Sequence, residues 1–395
     1  MTNWKKVKLG DVCTDISYGY TESANSKPVG PKFLRITDIQ FDHIDWSTVP
    51  YCKISDSDHK KYKLEKGDIV IARTGNSTGA TSTIKNDIDA VYASYLIRYR
   101  TNKNIANPFF VDFALRSTKW NDFVNNIKGG SAQPGANAKQ FAEFEFFLPD
   151  LPTQTRIASI LSALDDKIEL NRQMNHTLEQ MARALFKKYF VDDIDPENLP
   201  EGWTMGRLGD ISVNIKITID PKDEETLNYV GLEHIPRMSI ALYDWSEDEI
   251  LHSQKFQFQE NQILFGKLRP YFHKVVLAPI DGICSTDILV IEPIAKEYLS
   301  YSLMHFSSEE IIAYSNQHSG GTRMPRVSWE SLRNFEIVIP PKNTMQQFEE
   351  LISPVLNSII QRIHENKVLK EIRDSLLPKL MNGELEIKEA ETLVA

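Results

Sequence analysis

Residues 151–191 read LPTQTRIASILSALDDKIELNRQMNHTLEQMARALFKKYFV, and within them Ile157, Leu164, Asn171, Leu178 and Leu185 fall seven apart. Ile160, Met174 and Met181 fill the complementary positions, with Ile168 one step off register. A seam this long predicts one helix from about Thr153 to Val191 with a coiled-coil face. A second stretch, from about Thr344 to Met381, carries Phe348, Val355, Leu369 and Leu376 on one stripe, joined by Leu351, Ile359, Ile363, Ile372 and Leu380. Asn382-Gly383 supplies its stop, and Pro354 and Pro378 are expected to bend or interrupt it. A helix of about 39 residues spans roughly 58 Å and cannot hide such a stripe alone. The simplest remedy is an antiparallel pair. Its expected core is Ile157, Leu164, Asn171, Leu178 and Leu185 against Val355, Ile359, Ile363, Leu369 and Leu376. Asn171 either sets the register or is tolerated at a wet seam.

Outward from the helices, the chain repeats itself. Trp4 precedes Leu9-Gly10-Asp11-Val12, and Trp203 precedes Leu208-Gly209-Asp210-Ile211. Gly67-Asp68-Ile69-Val70-Ile71-Ala72-Arg73 answers Asn261-Gln262-Ile263-Leu264-Phe265-Gly266-Lys267 at an offset of 194. Gly129-Gly130-Ser131 answers Gly320-Gly321-Thr322, Phe144-Glu145 answers Phe335-Glu336, and Asn171 answers Asn366. A period near 195 is too long for a solenoid and describes two copies of one large unit. The stretches Phe144–Leu148 and Phe335–Ile339 read as strands ended by prolines. Trp4 and Trp203 read as core. The expected class is therefore α+β, with two similar domains separated by two long antiparallel coiled-coil helices. Boundaries fall at 1–151, 152–192, 193–341 and 342–384, with a tail over 385–395.

Composition narrows the function. The chain has 395 residues, 41% hydrophobic and 25% charged, as expected of a soluble globular protein of two or three domains. No apolar run approaches the roughly 18 residues a membrane span needs, and residues 1–10 hold no signal-like core. Cys13, Cys52 and Cys284 are too dispersed for a disulfide framework or a structural zinc site, so a reducing cytoplasm is the default compartment. The net charge of −9 is uneven. Residues 1–151 hold 20 Lys/Arg against 17 Asp/Glu, whereas residues 193–341 hold 12 against 23. Nucleic-acid binding by such a chain would rely on local basic loops.

The opening Leu151-Pro152-Thr153-Gln154-Thr155-Arg156-Ile157, the Ala184-Leu185-Phe186-Lys187 segment and the close Leu376-Leu377-Pro378-Lys379-Leu380-Met381-Asn382-Gly383-Glu384-Leu385 carry a resemblance. With the paired W-x4-L-G-D starts, the chain resembles the specificity (S) subunit of type I restriction–modification systems over nearly its whole length. The resemblance implies a subunit without catalysis or cofactor of its own. Each globular domain would read one half of a bipartite, asymmetric site in double-stranded DNA. The helices would space the two readers and dock two methyltransferase subunits, which use S-adenosylmethionine. Motor–nuclease subunits, which use ATP, would cut unmodified DNA. Two heads on a stiff rod suit half-sites about one helical turn, 34–36 Å, apart. Four added helical residues should lengthen the spacer by about 6 Å.

Base edges and phosphates are read by Arg, Lys, Asn, Gln, Ser and Thr. In the second domain the candidates are Lys267, Arg269, Tyr271 and Lys274, in a basic, aromatic segment, and Thr322, Arg323 and Arg326 after paired glycines. The corresponding segments of the first domain are more polar and offer Arg73, Thr74, Asn76 and Ser77, then Ser131, Gln133 and Lys139. A solvated hairpin or a plain turn would account for the same patterns.

Other chemistry fails on inspection. Asn107-Pro108-Phe109-Phe110 lacks the second proline of an adenine methyltransferase tetrapeptide, and no GxG occurs. Asp150, Asp165 and Lys167 have nuclease-like spacing, but Asp165 and Lys167 lie on the helix rather than on a sheet. A non-enzymatic alternative remains: a coiled-coil scaffold that joins partners without reading bases, which the acidic second domain favours.

Overall fold

The computed structural model describes residues 4–39, 44–128, 135–192, 194–220, 228–247 and 253–394. The chain divides into two compact units. Unit 1 is Met1–Glu169 with Leu369–Ala395, and unit 2 is Leu170–Val368.

Unit 1 is built on strands β1 (Lys5–Lys8), β2 (Cys13–Tyr18), β3 (Lys32–Leu34), β4 (Ile69–Ala72), β5 (Thr81–Thr83), β6 (Ala90–Tyr92), β7 (Leu96–Thr101) and β8 (Glu145–Leu148). A four-stranded sheet runs β2-β7-β4-β5, antiparallel throughout. Ile69, Val70, Ile71 and Ala72 are all buried, because β4 is an interior strand covered on both faces. The turn before it is made by Gly67 at φ 93°, where a side chain would be strained. β3 and β6 pair in parallel. β1 and β8 close the unit, with Val7 opposite Phe146. Trp120 fills the centre against Phe141 and Phe144, and its indole N–H donates to the Gly79 carbonyl at 2.8 Å.

Unit 2 repeats this plan with β9 (Thr204–Arg207), β10 (Ser212–Ile215), β11 (Thr218–Ile219), β12 (Tyr229–Val230), β13 (Lys255–Phe258), β14 (Ile263–Gly266), β15 (Val275–Leu277), β16 (Gly282–Cys284), β17 (Ile288–Pro293) and β18 (Glu336–Ile339). Its sheet runs β10-β17-β14-β15, the counterpart of β2-β7-β4-β5. β12 and β16 pair in parallel as β3 and β6 do, with β13 and β11 added on the other side. β9 pairs with β18. The closing bond recurs as well. Leu9 donates its N–H to the Phe144 carbonyl at 2.8 Å, and Leu208 to that of Phe335 at 3.0 Å. Trp4 and Trp203 sit half-buried at the edges of their cores.

The central helix is Leu151–Phe190 and the distal helix is Lys342–Met381. In unit 1, Ile157, Leu161 and Leu164 share one apolar cluster with Leu376 and Leu380. In unit 2, Asn171 donates to the Asn366 side-chain carbonyl at 2.9 Å and to Glu365 at 3.0 Å, and Phe190 meets Phe348 edge-on at 4.8 Å. Among the expected core residues, Ile157, Leu164, Asn171, Ile359, Ile363 and Leu376 are buried, and Leu178, Leu185, Val355 and Leu369 are half-buried.

Three expectations need correction. Met174 and Met181, placed on the seam, are 38% and 45% exposed. On the central helix the second buried row runs instead through Leu161, Ile168, Asn175 and Ala182, all buried and seven apart. Ile168 is therefore in register. A polar Asn175 and a small Ala182 hide this row from a reading based on bulk. On the distal helix Leu351 is 42% exposed, and Ile352 takes the buried place. Nor does either proline interrupt that helix. Both lie on its exposed side, and the carbonyls that lose a donor belong to Glu350 and Asp374, which are also exposed. Buried Ile352, Leu356, Leu376 and Leu380 hold the flanking turns.

Candidate nucleic-acid interface

In each unit the fold brings two distant candidate segments together. In unit 2 the loop between β14 and β15 lies against residues 320–327. Leu268 bridges Arg326, Arg269 donates its N–H to the Pro325 carbonyl at 2.7 Å, and Val327 donates to the Lys267 carbonyl at 3.1 Å. In unit 1 the loop between β4 and β5 lies against residues 135–136. Thr74 bridges Gly135, and Ala136 donates to the Arg73 carbonyl at 3.0 Å. The Thr74–Gly135 bridge and the Ala136–Arg73 bond repeat the Leu268–Arg326 bridge and the Val327–Lys267 bond at equivalent positions. Lys267, Arg269, Tyr271, Thr322 and Arg323 thus belong to one surface of unit 2, with Thr322 and Arg323 exposed and Tyr271 53% exposed. Arg73, Thr74, Asn76 and Ser77 belong to the matching surface of unit 1, and Lys139 is exposed beside it on the short helix Ala138–Ala142. Ser131 and Gln133 lie outside the described residues.

The side chains at these loops have unequal freedom. Arg326 is forked onto Asp287 at 2.8 and 3.1 Å, and this guanidinium holds the Asp287 carboxyl below the usual range. Lys274 donates its ammonium to the Leu232 carbonyl, and desolvation lowers its pKa. Arg73 donates to the Ser94 carbonyl at 3.1 Å and lies over the Tyr18 ring. Arg237, which no sequence pattern singles out, stacks 4.1 Å over Phe272 and adds a cation to the rim of the unit 2 loop.

Each unit fixes one half of the central helix with a buried carboxylate. In unit 1 Asp165 accepts from Arg116 at 2.7 Å and from Arg373 at 2.8 Å, with Asp112 also on Arg116 at 2.7 Å. In unit 2 Glu179 pairs with Arg183 at 2.8 Å and accepts from Ser239 Oγ at 3.0 Å and the Ile240 N–H at 3.1 Å. Arg183 reaches on to the Ser307 carbonyl at 2.7 Å. Sequence spacing gave no signal for Glu179, since it sits one position beyond the expected heptad residue Leu178. The decoys resolve structurally. Asn107 caps the helix Pro108–Ala114 with its side chain, and Asp165 is an ion-pair centre within the core. Among the described residues no cluster of metal-ligating side chains occurs, and no helix is long and apolar enough to cross a membrane. A cavity of about 610 Å³ in unit 1, lined by Lys119, Phe147, Leu377 and Met381, contains none of the candidate loop residues.

The family model of the type I restriction modification DNA specificity domain matches residues 1–180 and again residues 200–373. The specificity subunit of type I restriction enzyme MjaIX from Methanocaldococcus jannaschii is 30% identical over 305 residues, covering 71% of this chain and 69% of that protein. The specificity subunit of type I restriction enzyme HindI from Haemophilus influenzae is 25% identical over 480 residues, covering 98% of this chain and 100% of that protein. The crystal structure of a type I restriction–modification system S subunit from M. genitalium shares the fold, with a TM-score of 0.57 at 15% identity over 96% of each chain.

Proposed function

The chain belongs to the type I restriction modification DNA specificity family, and on that basis we propose how its two units divide the work. It serves as the DNA specificity subunit of a type I restriction–modification complex, a non-catalytic member of the assembly. Each unit reads one half of a bipartite, asymmetric site through its closed loop pair. Lys267, Arg269, Tyr271, Thr322 and Arg323 act in unit 2, and Arg73, Thr74, Asn76, Ser77 and Lys139 in unit 1. The two long helices act as an antiparallel coiled-coil spacer and as the docking surface for two methyltransferase subunits. S-adenosylmethionine and ATP belong to the partner subunits.

One observation carries this reading. The bonds that close the loop pair are the same in both units, Val327 to Lys267 and Ala136 to Arg73, while the side chains on them differ almost throughout. A constant frame carrying different donors is what two readers of two different words require. The scaffold alternative draws on the acidity of residues 193–341. Against it, the Lys267–Lys274 and Arg323–Arg326 stretches bring cations to one surface of that acidic unit.

The test is co-expression with methyltransferase subunits, followed by long-read mapping of methylated adenines. A split word that disappears when this chain is omitted is expected. Methylation with no split word, or one indifferent to this chain, rejects the proposal.

A further inference from the structure

β4, its following loop and β5 span residues 69–83, and β14, its loop and β15 span 263–277, so the offset of 194 holds without insertion. Two positions in each loop are left-handed. In unit 1 they are Gly75 at φ 72° and Gly79 at φ 89°. In unit 2 the same positions are Arg269 and His273, both at φ 51°. Glycine adopts this backbone without penalty, whereas a side chain there is strained. Unit 2 therefore keeps two side chains where the shared frame calls for glycine. Such outliers persist where the surroundings over-determine them, often at sites of function.

His273 has an internal task. Its Nε2 bonds the Ser307 carbonyl at 2.9 Å, the same carbonyl that Arg183 holds. Space exists for it: a Cβ at Gly79 would stand 2.5 Å from Val124 Cγ1, and the repeat places the smaller Ser315 at that position in unit 2. Met238, also left-handed at φ 57°, donates its N–H to the His273 carbonyl at 2.8 Å. Through Glu179, which accepts from Ile240 N–H, this end of the loop is tied to the central helix.

Arg269 has no such internal task. Its backbone is fixed at Pro325 and by the Phe272 N–H at 2.9 Å, its side chain is half-buried, and its Nε is buried without an acceptor. Among the described residues no carboxylate pairs with it, in contrast to Arg326. At the sister position Gly75, nothing lies within 4 Å of where a Cβ would stand. A cation for phosphate needs no strained backbone, and Lys267 and Arg323 can supply one without it. A base edge is different, because it demands fixed angles and distances.

We propose that Arg269 is the specificity-determining residue of unit 2, a guanidinium preset to take the O6/N7 edge of a guanine in that unit's half-word, while the glycine at the equivalent position leaves unit 1 to read by other side chains. The inference rests on the DNA-reading function proposed above.

Arg269→Gly and Arg269→Lys are each assembled into the complex with methyltransferase subunits. Methylated words are mapped, binding is measured on duplexes bearing every single-base change in the half-word, and the chain's melting temperature is recorded. For Arg269→Gly the melting temperature should hold or rise. Discrimination at one G·C position should fall about 5- to 150-fold, with the other half-word unchanged. Arg269→Lys, which keeps the charge, should lose the same discrimination. An unchanged word in Arg269→Gly, with the split word intact in the wild type, overturns this inference alone. So does a uniform loss of affinity that lysine restores, with a salt slope smaller by about one, since that marks a phosphate contact. A wild-type complex with no split word overturns the functional reading beneath it as well.

Discussion

Units 1 and 2 share a sheet order, a closing strand pair and the main-chain bonds of their loops, yet almost every chemical choice made on that frame differs. Unit 1 turns its β4–β5 loop on Gly75 and Gly79, whereas unit 2 turns the matching loop on Arg269 and His273. Unit 1 holds the central helix through Asp165 between two arginines, and unit 2 through Glu179 between one arginine, a hydroxyl and an amide. Residues 1–151 are slightly basic and residues 193–341 strongly acidic. The lesson is that backbone hydrogen bonds and a few apolar strands define this fold. Net charge, helix anchoring and even the residue type at a left-handed turn are left open to change.

The anchors give the largest expected effect. Asp165→Asn removes the buried carboxylate charge shared by Arg116 and Arg373, and the loss should be about 3–5 kcal/mol by chemical denaturation. Glu179→Gln should cost less, roughly 1.5–3 kcal/mol, because its partners are one partly exposed arginine and neutral donors. An equal or larger loss in unit 2 would break the distinction. Acid response should separate the units next. Burial pushes the His305 imidazole down to about 3 among Phe186 and Tyr301, so it is neutral in the folded state. The unfolded chain takes up that proton near pH 6.5. The contribution is therefore complete above pH 6.5 and declines as pH falls toward 3, by roughly 2 kcal/mol at pH 5. Hydrogen exchange should show unit 2 loosening before unit 1 between pH 7 and 5, with His305→Gln removing most of the difference. Opening of unit 1 first would contradict it. The smallest effect belongs to the Asn171–Asn366 pair. Leucine at either position alone should cost roughly 1 kcal/mol, and leucine at both should restore much of it. Strictly additive losses in a double-mutant cycle would show that the two asparagines do not act as a pair.

Much of this architecture is legible in the sequence, because repetition is visible without any energetics. The strands before Pro149 and Pro340 and both long helices follow from apolar patterning and the prolines and glycine that end them. The second buried row of the central helix does not. A heptad partner lies either three or four residues on, and Met174 and Met181 offered hydrophobic bulk on the side that the fold exposes. Asn175 and Ala182 occupy the buried side, where hydrogen bonding and close packing select them rather than hydrophobicity. Sequence alone likewise marks Pro354 and Pro378 as breaks, while the cost of each depends on whether the abandoned carbonyl can face water. Basic and glycine-rich composition marks the candidate loops in the sequence. That they come together in pairs, and that Arg326 and Lys274 are held by internal partners, depends on long-range packing that no local pattern encodes. The left-handed positions lie between these extremes. Gly75 and Gly79 announce themselves, but Arg269 and His273 become visible only once the repeat is laid over the backbone.

The way the chain is apportioned between the units has a consequence for biosynthesis. Unit 2 is one uninterrupted run, Leu170–Val368, whereas the apolar cluster around Leu164 in unit 1 stays open until Leu376, Leu380 and Met381 arrive. At about 5–20 residues per second a ribosome needs on the order of 10–40 s to bridge that gap. The part of unit 1 that precedes Leu170 thus finds shelter only after all of unit 2 has been translated, and the middle of the chain can settle while that part waits.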